Sequence, residues 1–479
     1  MKRKVLLSLS LPLLLSGCGN EPIAPAEGIS PGAMELSDTT EFVESDACSA
    51  LGEQRILVIP CRFQGEREFT DGDLSSLEQA FFAEELSSAK GYFSVKEFYS
   101  KSSLGKLSFS GEVAPVVDVP YTVKELEEEG DYLPGVPAEI YSKLDSVSSS
   151  FLSSYDLDQD GYVDNAVFVY SSPRSERGGN FWAWVANFAT DPNKERPSFN
   201  HHMWVGIDFF SSEQYEADAH TAIHETGHLL GLRDYYPSDS YNLALGGHSM
   251  MDYNISDHDP YSKMLLRWAD PLYYDFSSYS SLTVSLLPFQ TSNQFLLFNP
   301  SWNHSALDEY LLFEFYTPDG INAPDAEKRY GSRPLGFTKP GIKVYHVDSR
   351  VAKRHYSSQQ YAWLFSEYVE SIPSSYPEDE MYVIGACNSN EGSRTDASRQ
   401  GRYKQIALVE NKEFNRLQTG ESADDGSLFY QGDEFSSSSS PYFLRGEWNS
   451  KEAINLTMKV DEISPEKATI TLTYQGGSL

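Results

Sequence analysis

One short segment constrains the fold of this chain more than any other: residues 224–234, which read HETGHLLGLRD. Side chains four residues apart lie on one face of a helix, so His224 and His228 can present two imidazoles to a single metal ion. The pattern predicts a helix from about residue 216 to residue 230. Gly231 then lets the backbone leave the helix with a positive φ. The segment therefore predicts a metal-binding helix that is followed at once by a sharp turn.

The third metal ligand is the open question in this segment. Zinc in a catalytic site takes three protein ligands and keeps a fourth position for water. Helices of this kind find the third ligand either in a glutamate of a later helix or six residues after the second histidine. The next glutamate after Glu225 is Glu309, where the sequence pattern has changed, so the second solution is favoured. That solution makes Asp234 the third ligand, with His248 and His258 as the alternatives.

A second short segment, residues 249–253 with the sequence SMMDY, fits beneath such a metal. It places Met251 in a turn where the thioether packs under the ligands, with Met250 as the neighbouring alternative. The hydroxyl of Tyr253 would approach the substrate or the metal. On the helix itself, Glu225 lies beside the two imidazoles and is the predicted general base.

A third motif, residues 156–164, has the spacing of a calcium loop. Its carboxylates stand at positions one, three, five and nine, with a backbone carbonyl at position seven. The predicted ligands are Asp156, Asp158, Asp160, Tyr162 and Asp164. Gly161 at position six allows the sharp turn, but Val167 stands where an EF-hand has its glutamate, so a further ligand must come from elsewhere. Calcium here would hold the loop in front of a strand.

The pattern of apolar residues changes near residue 270. Before it, strand-like runs at 56–60 and 165–170 alternate with helical stretches, which predicts a mixed sheet with helices on its faces. After it, short apolar runs between turn signals predict an all-β part. These runs are residues 282–287, 295–298, 310–315, 342–347, 406–409, 454–460 and 469–474. The sequence therefore predicts an α+β chain with one domain at 53–275 and a β-rich domain at 276–479.

The N-terminus has the features of an export signal. Three basic residues, 2–4, precede an apolar stretch that is too short to span a bilayer as a permanent helix. The following Leu-Ser-Gly-Cys resembles the bacterial lipoprotein signal, in which the cysteine, here Cys18, becomes acylated. Residues 1–17 are thus predicted to be a signal peptide, and residues 18–52 a flexible tether to the outer face of a membrane.

Charge and cysteine content set further limits. The chain has 70 acidic and 37 basic residues and a formal net charge of -33, which argues against a nucleic-acid partner. Besides Cys18 there are three cysteines, Cys48, Cys61 and Cys387. An exported location permits a disulfide, but the sequence leaves open whether any two of them pair.

With these residues in view, the chain resembles the immune inhibitor A-like family of secreted bacterial zinc metallopeptidases. The metal motif is of the metzincin type and is the specific part of the resemblance. The flanking segments that support it are residues 94–99, 103–107, 266–271, 309–314 and 341–348. The resemblance implies a metzincin-like catalytic domain, built on a mixed twisted sheet with an active-site helix, followed by an all-β C-terminal domain.

The resemblance also implies the roles of the site residues. His224, His228 and Asp234 would bind zinc, and Glu225 would be the general base. Aspartate replaces the third histidine of better-known metzincins, and carboxylate oxygen is an acceptable zinc ligand. The expected activity is hydrolysis of peptide bonds in extracellular proteins or peptides. The alternative is a surface binding lipoprotein with a structural metal, although structural zinc is usually closed by four protein ligands.

Overall fold

The structure is a computed structural model, and the residues that it describes are 48–86, 91–128, 149–174, 181–187, 191–212, 214–236, 243–276, 279–370, 372–386, 388 and 404–476. The predicted signal peptide 1–17, the lipid attachment at Cys18, most of the tether and Cys387 lie outside these residues. Within them the chain is a mixed α+β protein, as predicted. None of its described helices is both long and apolar enough to cross a bilayer.

A six-stranded mixed sheet occupies the first half of the chain. Its strands are β1 (Gly52–Phe63), β2 (Leu107–Val113), β3 (Val117–Val119), β4 (Ala166–Tyr170), β5 (Trp184–Asn187) and β6 (His201–Gly206). The order is β2-β1-β4-β6-β5, with β3 also paired to β1. All neighbours are parallel except β5, which runs antiparallel to β6. Parallel strands are buried on both faces, which explains why β1 and β4 appear in the sequence as continuous apolar runs.

Among the described residues, the helices that accompany this sheet are α1 (Asp71–Phe82), α2 (Val95–Ser102), α3 (Val123–Glu128), α4 (Ser149–Ser153) and α5 (His220–Leu229). Helix α1, which the apolar pattern predicts from about residue 74, begins at Asp71 because Thr70 and Asp73 form a capping box, each side chain accepting the other's backbone N–H. Helix α5 begins four residues after the predicted start. Its N-cap residue, Ala219, makes no side-chain capping hydrogen bond, and Asp218 accepts the His220 N–H at 3.2 Å.

The N-terminal boundary of the fold lies slightly earlier than expected. Strand β1 begins at Gly52, the last residue of the range predicted as tether. The indole N–H of Trp268 donates to the Ala50 carbonyl at 2.8 Å, so the chain is already packed there. Cys48 and Cys61 each carry a thiol and share no disulfide.

The second half of the chain is β-rich. The remaining strands are β7 (Leu272–Tyr273), β8 (Ser281–Leu286), β9 (Phe295–Phe298), β10 (Glu309–Tyr316), β11 (Gly341–Asp348), β12 (Val351–Ser357), β13 (Ala362–Val369), β14 (Glu380–Ile384), β15 (Ile406–Leu408), β16 (Glu434–Ser436), β17 (Leu456–Ile463) and β18 (Ala468–Tyr474). Each of the seven apolar runs predicted as strands is found among them. They form sheets in the orders β15-β11-β10-β9-β7, β13-β12-β14 and β16-β17-β18-β8.

Two short helices of the described residues precede β7, namely α6 (Met250–Tyr253) and α7 (Pro260–Leu265), and two more, α8 (Phe289–Ser292) and α9 (Ala323–Glu327), lie between the later strands. The five-stranded sheet is buried on both faces. Leu311 and Phe313 on one face pack against the four-stranded sheet. Tyr310 and Leu312 on the other face belong to the same apolar core as Ile223 of helix α5. The two parts of the chain on either side of residue 275 therefore share one core.

A buried polar network reinforces this junction. The Lys263 ammonium is fully buried and donates to Asp257 at 2.6 Å and to Asn293 at 2.8 Å. Asp257 also accepts a hydrogen bond from the Ser102 hydroxyl, and Asn293 donates to the Ser102 carbonyl. The network thus joins helices α2 and α7 to the segment after α8. Every member has a partner, which is the condition for keeping charges inside a core.

Replacing Lys263 with methionine should lower the free energy of unfolding by about 3–5 kcal/mol, because it leaves the Asp257 carboxylate buried without its cation. Urea denaturation measures this. Lys459→Met is the matched control: its ammonium is mostly exposed and 3.8 Å from Asp461, so its effect should stay within about 0.5 kcal/mol. Equal effects of the two substitutions would contradict the structural role of the buried pair.

Candidate metal centre

The helix that carries the two histidines ends in a Schellman motif. Gly231 has φ +90°, the left-handed conformation that favours glycine. The Leu232 N–H donates to the Gly227 carbonyl at 2.9 Å, and the Gly231 N–H donates to the His228 carbonyl at 2.9 Å. These two bonds satisfy carbonyls at the helix end and reverse the chain direction. The turn predicted at Gly231 is present.

This turn brings the three predicted metal ligands together. Asp234 Oδ1 lies 3.0 Å from His224 Nε2 and 3.3 Å from His228 Nε2. The candidate ligand atoms all lie within 4.8 Å of one another, and no fourth His, Cys, Asp or Glu joins the group among the described residues. The side chains of Asp234 and His228 are 31% and 20% exposed, so one side of the group is open to solvent.

Backbone carbonyls accept a hydrogen bond from each imidazole, on the side away from Asp234. His224 Nδ1 lies 2.8 Å from the Met250 carbonyl oxygen, and His228 Nδ1 lies 2.7 Å from the Leu232 carbonyl oxygen. A carbonyl only accepts, so each Nδ1 must carry its proton. In a neutral ring this leaves the Nε2 lone pair facing Asp234. Carbonyl support of this kind orients metal-binding histidines.

The separations suit zinc. Ligand atoms about 2.0–2.2 Å from zinc at tetrahedral angles lie roughly 3.4 Å apart. The observed 3.0 and 3.3 Å therefore require only a small outward movement of the ligands. Without a cation, both nitrogens of each ring would face a hydrogen-bond acceptor. Satisfying all four contacts would need two imidazoliums beside the single Asp234 carboxylate. A divalent cation among the three atoms removes that conflict, so the residues fit the metal.

The charges of the group are strongly coupled. Burial alone lowers the pKa of His228, but the adjacent Asp234 carboxylate outweighs it and raises that pKa to about 9. For Asp234, burial opposes ionisation, and the two imidazoles nevertheless hold its pKa far below the usual range. Asp234 is therefore a carboxylate at all ordinary pH values, as a metal ligand must be.

Glu225 is 7% exposed and lies beside the ligand group. Burial raises the pKa of its carboxyl, His228 and His224 lower it in part, and Asp234 raises it again. A carboxylate whose pKa is moved upward toward neutrality is a better proton acceptor in catalysis. Its environment therefore matches the role of general base that the sequence predicts.

The methionine predicted beneath the ligands lies against the metal helix. Residues 250–253 form the one-turn helix α6. A Cβ added to Gly227, which lies between the two histidines, would be 2.5 Å from Met251 Sδ. The sulfur therefore packs directly on the helix backbone at that glycine. Met250, the alternative, contributes its carbonyl to His224 instead.

The Tyr253 ring lies under the Arg333 guanidinium, 5.2 Å from the ring centroid. The role predicted for its hydroxyl stays a prediction. The two alternative ligands lie outside the ligand group. His248 stacks on Phe337 and its Nε2 lies 3.1 Å from the Ala423 carbonyl oxygen, while the His258 ring lies among the rings of Phe98, Tyr99 and Trp268.

Two contacts of the site were not predicted. The Tyr236 ring stacks on His224 with centroids 6.2 Å apart. The Asn388 amide donates to the Tyr235 carbonyl at 3.0 Å, and the Tyr235 N–H donates to the Met251 carbonyl at 2.9 Å. Tyr235, the residue after the third ligand, is thus hydrogen-bonded through both its carbonyl and its N–H. Tyr236 could have been noticed for its place two residues after Asp234, but nothing in the sequence points to Asn388.

The predicted calcium loop is partly assembled. Carboxylates of Asp156, Asp158 and Asp164 come within 4.8 Å of one another, whereas Asp160 is not in this group. The predicted backbone ligand Tyr162 stays a prediction. Asp160 instead accepts the Tyr162 N–H at 2.7 Å. Gly161 has φ +100°, as the sixth position requires.

Two further features suit a cation at this loop. Burial raises the pKa of the Asp164 carboxyl to about 7, the Leu157 N–H opposes this, and Asp158 and Asp156 add to the rise. Asp156 is 8% exposed, and its Oδ1 has no hydrogen-bond partner among the described residues. Oxygen ligands of one Ca²⁺ at 2.3–2.6 Å lie within about 5 Å of each other, so the three carboxylates fit.

A scan against protein-family models gives no match to this chain, and a comparison with curated proteins gives none either.

Replacing Gly227 with alanine should destabilise the protein by about 1–3 kcal/mol and weaken zinc binding, because the new Cβ displaces Met251 from beneath the ligands. Urea denaturation and chelator competition for zinc measure the two effects. Gly72→Ala in helix α1 is the control, since its Cβ meets only the Thr70 hydroxyl oxygen at 3.5 Å. If Gly227→Ala behaves like the control, Met251 does not support the site.

Proposed function

We propose that this chain is a zinc-dependent endopeptidase. One observation carries the proposal: two imidazoles fixed by carbonyl acceptors direct their Nε2 atoms at one carboxylate oxygen, with Glu225 beside them. Three protein ligands with an open side are typical of catalytic zinc, whereas structural zinc is usually closed by four. The alternative of a binding protein with a structural metal has no comparable support among the described residues.

Zinc bound by His224, His228 and Asp234 would polarise the scissile carbonyl and lower the pKa of a water molecule. Glu225 would take the proton from that water as it attacks, and then deliver it to the leaving amine. The raised pKa of Glu225 suits both halves of this exchange. Tyr253 is kept as a proposed oxyanion donor. Its ring also contacts the Arg333 guanidinium.

The proposal also covers the structural class of the peptidase and its location in the cell. The mixed sheet with the metal helix packed on its core, the Schellman turn and the methionine beneath Gly227 support a metzincin-like domain of the immune inhibitor A-like type. The residues after 276 would then be its β-rich C-terminal domain. We place the protein at the outer face of a bacterial membrane, attached through acylated Cys18, where it would cut extracellular proteins or peptides.

We also propose Ca²⁺ at Asp156, Asp158 and Asp164. The unpartnered buried oxygen of Asp156 supports it, because a buried carboxylate oxygen without a donor is unfavourable unless a cation is present. The loop ends directly before β4, the central strand next to β1 and β6. Calcium would stabilise that connection and take no part in the chemistry.

Glu225→Gln should retain one zinc per chain and lose at least about a hundredfold in casein cleavage, because the proton acceptor is gone and the ligands are intact. Metal analysis and a fluorescent casein assay with o-phenanthroline inhibition measure this. Glu216→Gln, at an exposed glutamate before the helix, should change neither. Undiminished turnover by Glu225→Gln would exclude the proposed base, and absence of cleavage by the wild type would favour a binding protein.

Calcium at a hundredfold excess over its dissociation constant should stabilise the chelator-treated protein by about 2.7 kcal/mol. Asp156→Asn should lose most of this gain, because a ligand charge and a coordinating oxygen are removed. Asp319→Asn, at an exposed aspartate, should keep it. Thermal denaturation with and without calcium makes the comparison, and a gain that survives in Asp156→Asn places the calcium elsewhere.

A further inference from the structure

Residues 328–333, with the sequence KRYGSR, form a loop that we call the basic loop. Three of its six residues are cationic in a chain where acidic residues outnumber basic ones 70 to 37. No carboxylate of the described residues lies within ion-pair distance of Lys328, Arg329 or Arg333. The Lys328 ammonium lies over the Tyr215 ring at 5.5 Å, and Arg333 Nε is buried without a hydrogen-bond partner among the described residues. In so acidic a protein, three cations without counter-charges require an explanation.

The basic loop is fixed to the first turn of the metal helix. The Tyr330 ring stacks on the His220 ring at 3.6 Å with an interplanar angle of 6°. The Tyr330 hydroxyl donates to Asp218 at 3.0 Å, and Gln214 donates to the Arg329 carbonyl at 2.9 Å. The backbone of the loop therefore has a defined position beside the helix.

The basic loop contacts two segments of the candidate metal centre: the start of the metal helix and the methionine turn. His220, which Tyr330 covers, lies one helical turn, about 5.4 Å along the axis, before the ligand His224. The Arg333 guanidinium lies 5.2 Å from the ring centroids of both Tyr330 and Tyr253. Tyr253 ends the short helix whose Met251 packs beneath the ligands. Arg333 is thus held between an aromatic ring above the helix start and one beside the methionine turn.

We propose that the basic loop recognises acidic peptide substrates, with Arg333 binding the substrate carboxylate nearest the scissile bond. This inference rests on the proposed peptidase function and specifies its substrate class. An extended peptide advances about 3.3 Å per residue, so side chains a few residues from the scissile bond reach the loop. Guanidinium binds carboxylate through paired hydrogen bonds, and stacking on two rings orients the fork in advance. Lys328 and Arg329 would bind further acidic residues along the chain.

The test uses the full zinc-loaded chain carrying Glu225→Gln, so that binding is measured without turnover. The probes are two fluorescein-labelled decapeptides of identical sequence, one with four glutamates around a central Ala-Leu bond and one with four glutamines. Fluorescence anisotropy gives the ratio of the two affinities. The glutamate peptide should bind at least about tenfold more tightly, and the ratio should fall at high ionic strength.

Substitutions then assign the preference. Arg333→Gln should bring the affinity ratio close to one, and Arg333→Lys should retain part of it because the charge remains. Arg445→Gln is the matched control, since Arg445 is an exposed arginine of the 3₁₀ turn Leu444–Gly446 and should leave the ratio unchanged. Equal binding of the two peptides, or a ratio unaffected by Arg333→Gln, overturns the proposal, as does an equal loss in Arg445→Gln.

The outcome separates this inference from the peptidase proposal. A preference that depends on Arg333, in a protein whose unsubstituted form cleaves no peptide, supports acidic-peptide recognition while the proposed catalysis fails. Cleavage without any charge preference leaves the peptidase and removes the role of the basic loop. Vesicles of phosphatidylcholine with one-third phosphatidylglycerol test the rival surface. If they bind through Arg333 while the two peptides bind equally, the loop contacts membrane instead and the proposal is overturned.

Discussion

Two hydrogen bonds from imidazole to backbone carbonyl orient the two histidines of the candidate metal centre. They run from His224 to the Met250 carbonyl and from His228 to the Leu232 carbonyl. Each of these bonds fixes the proton on Nδ1. The Nε2 atoms of both rings therefore face the same atom, Oδ1 of Asp234. One carbonyl belongs to the turn after the helix and the other to the methionine turn. The local Schellman motif and the long-range contact with the Met250 carbonyl are therefore both needed to bring the three candidate ligands together.

The β-rich part of the chain contributes directly to this centre. Asn388 holds the backbone next to Asp234, and Phe337 stacks on His248 in the loop before the methionine turn. Tyr330 stacks on His220 at the start of the metal helix. These contacts accompany an apolar core that runs from helix α5 into the five-stranded sheet. The second part of the chain therefore packs against the proposed active site and supports its residues.

Electrostatics distinguishes the two faces of the proposed chemistry. At the candidate metal centre, the Asp234 carboxylate and a glutamate of raised pKa favour the binding of a cation and a proton. Nearby, the basic loop carries cations, and Lys328 and Arg333 contact aromatic rings. The protein is strongly acidic and disfavours polyanions in general, so the proposed selection of acidic substrates would act only at this loop. The loop of the proposed calcium site lies in the connection that leads into β4, and calcium there would stabilise that connection.

The sequence by itself determined the elements whose information is local. Ligands at fixed spacing on one helix, a glycine at its end and continuous apolar runs of strand length each depend on a few neighbouring residues, and the helix, the turn and seven predicted strands are all present. The start of α1 shifted because the capping side chain of Thr70 decided it. Strands β12 to β14 escaped prediction because charged residues such as Lys353 and Glu380 interrupt their apolar pattern. Only the tertiary structure decided which carbonyl holds His224, which residue holds Tyr235, and where the basic loop lies. These contacts join residues 26 to 153 positions apart, and no local pattern encodes a partner at that separation.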